Sequence, residues 1–273
     1  MGPRLGFVDT PDDPGLKVHR QNAVPLGGVG VFLGVAVGWW VAGGFDPRVM
    51  GPAGALSILG LVDDRIRLSA WLRLAVQVLI ATAAMTLGAV PSNGSPIAEA
   101  LVGVVLIVIA INAVNLFDGL DGLAGSAGLA ASLGVAALAA TRGAEPNLGL
   151  VLAAGLGGFL YFNRHPARVF LGDNGAYLLG FLLAIGVMRT SPSGAGPELW
   201  VAALILGVFV VDLAVTVLRR AAAGQPLFLG DRGHLYDRLV ARGWSIGRVV
   251  GAAVLGEFAF VALTLLLDAN LPD

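Results

Sequence analysis

Apolar runs the length of a bilayer-crossing helix follow one another along almost the whole chain, separated by short polar stretches. A helix needs roughly 20 mostly apolar residues to cross the hydrocarbon layer, with about 17–25 tolerated. On that pattern nine segments read as spans: Leu26–Phe45, Val49–Val62, Ala70–Val90, Ile97–Leu116, Leu120–Thr141, Leu148–Phe162, Val169–Met188, Leu199–Leu218 and Val249–Leu267. The second and sixth are short. Turn formers mark the gaps, as in Pro91-Ser-Asn-Gly-Ser-Pro96 and Ser191-Pro-Ser-Gly-Ala-Gly-Pro197. The first 25 residues are polar, carry Arg4, Asp9, Lys17 and Arg20, and lack the apolar core of a signal peptide, so they read as a loop before the first span. The predicted fold is all-α: one polytopic membrane domain over 1–273 with about nine transmembrane helices, a loop at 1–25 and a larger one at 219–248.

Composition agrees with a lipid setting. The chain is 56% hydrophobic and 13% charged, with a mean hydropathy of +0.83, against roughly 25% charged residues in soluble domains. A net charge of −1 and the absence of any basic block argue against nucleic acid as a partner. No cysteine is present, which removes disulfides and thiolate metal sites. The 40 glycines suit close helix–helix packing in a bilayer.

Nine spans divide the loops between two sides, and the basic residues divide with them. One side collects 14 of the 17 Lys and Arg, and the other has only Arg48, Arg142 and Arg189. The positive-inside rule makes the rich side cytoplasmic, with the N-terminus inside and the C-terminus outside a cell (inner) membrane.

The same side gathers carboxylates. Asp63, Asp64, Asp118, Asp121 and Asp173 abut strongly apolar helices there, and in sequence only Arg65 closely follows any of them. Such a cluster repels itself unless a cation neutralises it. Oxygen ligands suit Mg²⁺ or Mn²⁺, and Mg²⁺ travels with substrate phosphates. Phosphoryl chemistry at the membrane surface follows. In Asn112-Ala-Val-Asn-Leu-Phe-Asp-Gly-Leu-Asp-Gly-Leu123, the spacing of Asn112, Asn115 and Asp118 lays one polar stripe along a helix, and Gly119 and Gly122 end it beside open backbone. The bland alternative is that such asparagines only bond a neighbouring helix.

These residues resemble the polyprenyl-phosphate N-acetylhexosamine-1-phosphate transferases (glycosyltransferase family 4), which include phospho-MurNAc-pentapeptide translocase and the WecA-type GlcNAc-1-phosphate transferases. Motifs similar to the family's run in order: Lys17 to Gly28, Gly60-Leu-Val-Asp-Asp-Arg65, Asn112 to Leu123, Phe170-Leu-Gly-Asp-Asn-Gly175, and the stretch from Asp212 to Asp231-Arg-Gly-His234. The resemblance implies a Mg²⁺-dependent transfer (Mn²⁺ as the alternative) of a HexNAc-1-phosphate, GlcNAc-1-phosphate first, from a UDP-N-acetylhexosamine to polyprenyl phosphate, with release of UMP, at the start of a cell-envelope glycan. It implies Asp173 as the metal ligand and Asp63 and Asp64 at the acceptor phosphate. It also places Asn112, Asn115, Asp118 and Asp121 around the nucleotide and diphosphate, Phe170 on uracil, and Lys17, His234 and Arg238 on substrate.

Three departures stand out. In His234-Leu-Tyr-Asp-Arg238 only one histidine remains of a His-rich motif, and Pro25-Leu-Gly-Gly28 lacks a Thr-Met typical of the MurNAc branch, so the WecA-type branch is the better match. The family also usually has one more span before its first loop. A modified amino sugar is the alternative donor, and the rival classes are a transporter and an inactive scaffold. Transporters place acids near the midplane of repeated halves, whereas these lie at one face. For Asp212 the bland alternative to its place in the last-loop pattern is a pair with Arg219 or Arg220, His19 and His165 read as loop residues, and Glu257 inside the last span has no assigned role. The pattern is compatible with a homodimer.

Overall fold

The computed structural model describes residues 26–92, 95–191, 196–226 and 231–271. Eleven α-helices form its frame: α1 Gly27–Val41, α2 Pro47–Ile66, α3 Ala70–Thr86, α4 Pro96–Phe117, α5 Leu123–Thr141, α6 Asn147–Asn163, α7 Gly172–Arg189, α8 Pro197–Ala203, α9 Gly207–Ala222, α10 Leu235–Ala241 and α11 Ile246–Asp268. Local chemistry sets the ends. Ser69 and Ser245 accept the N–H of Leu72 and Arg248, Asp46 accepts that of Arg48, and prolines open α2, α4 and α8. Each of the nine apolar segments falls on helix.

Several helix ends fall a few residues from the hydropathy reading, and two of the differences bear on the site and its frame. α2 runs to Ile66, well past Val62, because Asp63 and Asp64 continue the helix while ending its apolar run. The eighth segment is interrupted by a 3-10 turn at Leu204–Leu206. There the buried carboxylate of Glu257 on α11 accepts the N–H of Val208 at 3.2 Å, satisfying a donor that the restart of the helix would orphan.

By length and composition, four stretches can cross a membrane: Pro96–Phe117, Leu123–Thr141, Pro197–Ala222 and Ile246–Asp268, with Gly27–Val41, Ala70–Thr86 and Asn147–Asn163 as shorter apolar helices. The outer surface is apolar, with Leu33, Ile58, Leu79, Leu101 and Leu255 all exposed. Exposed tryptophans mark two levels: Trp71 and Trp244 near one end of the bundle, Trp40 and Trp200 near the other. That arrangement is the aromatic belt of a membrane protein.

α7 is the central post. Every residue from Asn174 to Met188 is buried, and it packs most extensively against α2 and α4. Glycines permit this. A Cβ on Gly60 of α2 would lie 2.3 Å from the Asn174 backbone, and one on Gly180 of α7 would lie 2.6 Å from Ala110 O on α4. The three helices meet at the end of the bundle where α2 and α4 finish and α7 begins, and that is where the acids lie.

Candidate active site

α2 delivers two adjacent carboxylates with different fates. Asp63 is buried and saturated: its Oδ1 accepts the N–H of Leu68 at 2.8 Å, and its Oδ2 accepts Arg73 Nη1 at 3.0 Å and the Tyr177 hydroxyl at 2.7 Å. It ties α2 to α3 and α7. Asp64, half-buried, accepts the N–H groups of Asp173 and Asn174 at 3.1 and 3.5 Å, capping the first turn of α7.

α4 contributes the asparagine stripe, which splits. Asn115 Nδ2 donates to Asp173 Oδ1 at 2.7 Å. Asn112 Nδ2 donates instead to Gln77 Oε1 on α3 and to Val108 O, at 2.7 and 2.8 Å, which is the neighbouring-helix bond of the bland reading. Asp118 follows directly on α4. Burial, then the charges of Asp173, Asp64 and Asp121, push its carboxyl up to about 8.

Beyond the Gly119–Gly122 turn, Asp121 is buried, its Oδ2 2.8 Å from His165 Nδ1 and accepting the N–H of Ala167 at 3.0 Å. Asn163 fixes the turn from the side, accepting the N–H of Gly122 at 3.0 Å. The expectation of five acids without matched cations is therefore corrected at Asp63, which pairs with Arg73, while the His165 ring hydrogen-bonds Asp121. Distance along the chain hid both partners.

The last loop is anchored through Asp212 of α9. Its Oδ2 lies 2.7 Å from His234 Nδ1, and its Oδ1 accepts the N–H of Leu235 at 2.9 Å. The bland pairing of Asp212 with Arg219 or Arg220 is not what forms; both arginines hold Asp231. Asp212 sits higher on α9, where the buried His234 reaches it, and the arginines, about two turns on, hold Asp231 in the loop. Tyr236 stacks on His234 with ring centroids 5.1 Å apart and donates its hydroxyl to Leu116 O at 2.9 Å. This clamps α10 onto the end of α4 beside Asp118, a role that the sequence showed only as a departure from a motif. Phe170 accepts the N–H of Gly27 through its carbonyl at 2.9 Å, and Arg238 is exposed, donating to Gly233 O at 3.0 Å. Lys17 lies outside the described residues.

The Asp231 latch has a pH signature. Burial raises its carboxyl, but hydrogen bonds from Arg219 and Arg220 outweigh this and hold it below the ordinary 3.8, at about 2. A carboxyl depressed on folding contributes stability above its unfolded value and loses it as pH falls toward its folded one. Hydrogen exchange in 231–241, corrected for intrinsic rate, is expected to rise as pH drops from about 4 to about 2. Asp231→Asn should show the raised exchange already at neutral pH.

Among the described residues, no three acids or histidines close into a preformed metal cage. The donor set still fits magnesium, which binds through one or two carboxylates and completes its shell with water and substrate phosphate. Asp173 and Asp64 are half-buried and adjacent, and burial, then their charges, raise Asp118 beside them, so the cluster carries a negative excess that a divalent cation would relieve.

The sequence profile of glycosyl transferase family 4 matches residues 48–191. A Bacillus subtilis protein named a probable undecaprenyl-phosphate N-acetylglucosaminyl 1-phosphate transferase is 31% identical over 283 residues, covering 97% of this chain and 78% of that protein. A decaprenyl-phosphate N-acetylglucosaminephosphotransferase of Mycobacterium tuberculosis is 31% identical over 297 residues, covering 92% and 73%. A phospho-N-acetylmuramoyl-pentapeptide-transferase of Picosynechococcus is 35% identical, but over 149 residues, or 50% of this chain and 38% of that one.

Proposed function

Since the chain belongs to glycosyl transferase family 4, on the side of its WecA-type members, we propose that it transfers GlcNAc-1-phosphate from a UDP-sugar to polyprenyl phosphate. The site would face the cytoplasm, in a multi-pass protein of nine spans, by the distribution of Lys and Arg. The observation that carries the reading is the convergence on Asp173: Asn115 donates to its side chain, and its N–H donates to Asp64.

An oxygen of the acceptor phosphate forms a bond to the β-phosphorus of the donor. The bond from that phosphorus to the bridging oxygen breaks, and the oxygen leaves on UMP. A phosphate monoester is largely dianionic near neutrality, its second pKa being about 6, so proton removal by a strong base is not required. Asp173, with Asp64 and Asp118 beside it, would hold magnesium. With magnesium bound, charge developing on the diphosphate is neutralised.

The chain's own residues supply position. Asn115 fixes the Asp173 carboxylate, and the saturated Asp63 keeps α2, α3 and α7 in register around it. A carboxylate only accepts, so the Asp212 contact fixes a proton on His234 Nδ1 and orients the ring. His234, Phe170 and Arg238 would contact the donor, as would Lys17.

The test is UMP release by purified protein with polyprenyl phosphate, Mg²⁺ and a panel of UDP-N-acetylhexosamines that includes modified amino sugars. Release that needs lipid and metal together is expected, fastest with UDP-GlcNAc. Release from another donor alone would overturn the sugar assignment, and none from any donor would overturn the reaction.

A further inference from the structure

At the end of the bundle opposite the acid cluster, a cavity of about 1050 Å³ lies among the starts of α2 and α4 and the ends of α1, α3 and α7. Its walls are mostly apolar and include the surface residues Val78 and Leu101. Two polar side chains lining it are more than nine-tenths buried and have no hydrogen-bond partner. They are Glu99, with both carboxylate oxygens unsatisfied, and Trp39, with its indole N–H unsatisfied. A buried polar group without a partner is costly, and a carboxylate most of all. The cavity is also lined by Arg48, whose Nε and Nη2 bond Asp46 while Nη1 has no partner among the described residues.

These groups define a ligand. Glu99 asks for a hydrogen-bonding cation, Trp39 and Arg48 offer donors to an anion, and the walls accept hydrocarbon. We propose that this cavity binds a phospholipid with a primary-amine headgroup, its ammonium on Glu99, its phosphate toward Arg48 and Trp39, and an acyl chain between α3 and α4. Exposed Trp40 and Trp200 place this end at a membrane–water boundary, where such a headgroup resides. An anionic lipid would bring no cation to Glu99. A choline lipid would bring a cation without N–H donors.

Native mass spectrometry of the full chain in detergent tests this, with phosphatidylethanolamine, phosphatidylcholine and phosphatidylglycerol of identical acyl chains. Phosphatidylethanolamine should bind about tenfold more tightly than either, the effect of one charge-assisted hydrogen bond. Glu99→Gln should remove that preference. Thr82→Trp, which fills the cavity from an exposed position on α3, should weaken binding while leaving the fold intact, so the test survives if the Glu99 variant does not fold. Equal binding of all three lipids, tighter binding of phosphatidylglycerol, or a preference unchanged by the variants would overturn the assignment. Transferase activity is not read, so the outcome is independent of the reaction at the other end.

Discussion

Asp173→Asn is expected to lower UMP release by about 10³-fold or more while leaving the thermal midpoint near that of the parent protein. The substitution is nearly isosteric. Its amide oxygen can still accept from Asn115, and its backbone N–H can still donate to Asp64, so these two contacts on residue 173 persist. What disappears is an ionisable carboxyl from a cluster in which burial first, and then the neighbouring charges, push Asp118 up to about 8. The folded state should be indifferent to that loss or gain slightly from it. Catalysis should not: removing a single preorganised electrostatic group costs about 10²–10³ in rate, and a metal-binding carboxylate stands at the upper end. Rate, thermal midpoint and Mg²⁺ dependence on one preparation decide it, and activity within tenfold of the parent would sink the site assignment. Asp63→Asn should behave differently, because Asp63 is buried with Arg73 and Tyr177 on it. Losing that charge leaves the half-buried Arg73 guanidinium and the buried Tyr177 hydroxyl short of their partner, so the midpoint falls together with the rate.

The contrast between these neighbours also marks what the sequence could and could not reveal. Both stand at the end of one apolar run, and nothing local separates them. Their roles diverge because Arg73 arrives from the next helix and Tyr177 from a helix more than a hundred residues away, while Asp64 turns to the start of α7. Hydropathy reports whether a segment prefers lipid, so its apolar segments fall on helix, four of them on stretches long and apolar enough to cross a membrane. It does not report which faces meet. The same limit explains Asn112, which shares a stripe with Asn115 yet bonds Gln77, and Glu257, whose partner exists only because the eighth segment breaks at Leu204–Leu206. Motif spacing was legible wherever it is set by one helix, as with Asn115 and Asp118. Pairings between loops, His165 with Asp121 and Tyr236 with the end of α4, needed the fold.

The geometry also makes a steric demand that can be tested without touching a charge. Gly60→Ala on α2 is expected to destabilise the protein by about 1–3 kcal/mol, the usual cost of overpacking, and to slow transfer by about 10²-fold. A Cβ there would fall 2.3 Å from the Asn174 backbone and 2.5 Å from the Asp173 carbonyl carbon. Backbone cannot rotate away as a flexible side chain would, so α2 and the start of α7 must separate. That separation opens the Asp64 cap on Asp173, and a displacement near 1 Å at a positioned group costs on the order of 10² in rate. Gly51→Ala on the same helix is the control. Nothing lies within 4 Å of its added Cβ, so stability should stay within about 1 kcal/mol of the parent, the scale of helix propensity, and the rate should hold. If both variants lose activity alike, the defect belongs to α2 as a helix and the close approach to α7 is not what positions Asp173. If only Gly60→Ala fails, the absence of one methyl group at that contact is what allows Asp64 and Asp173 to form a single site.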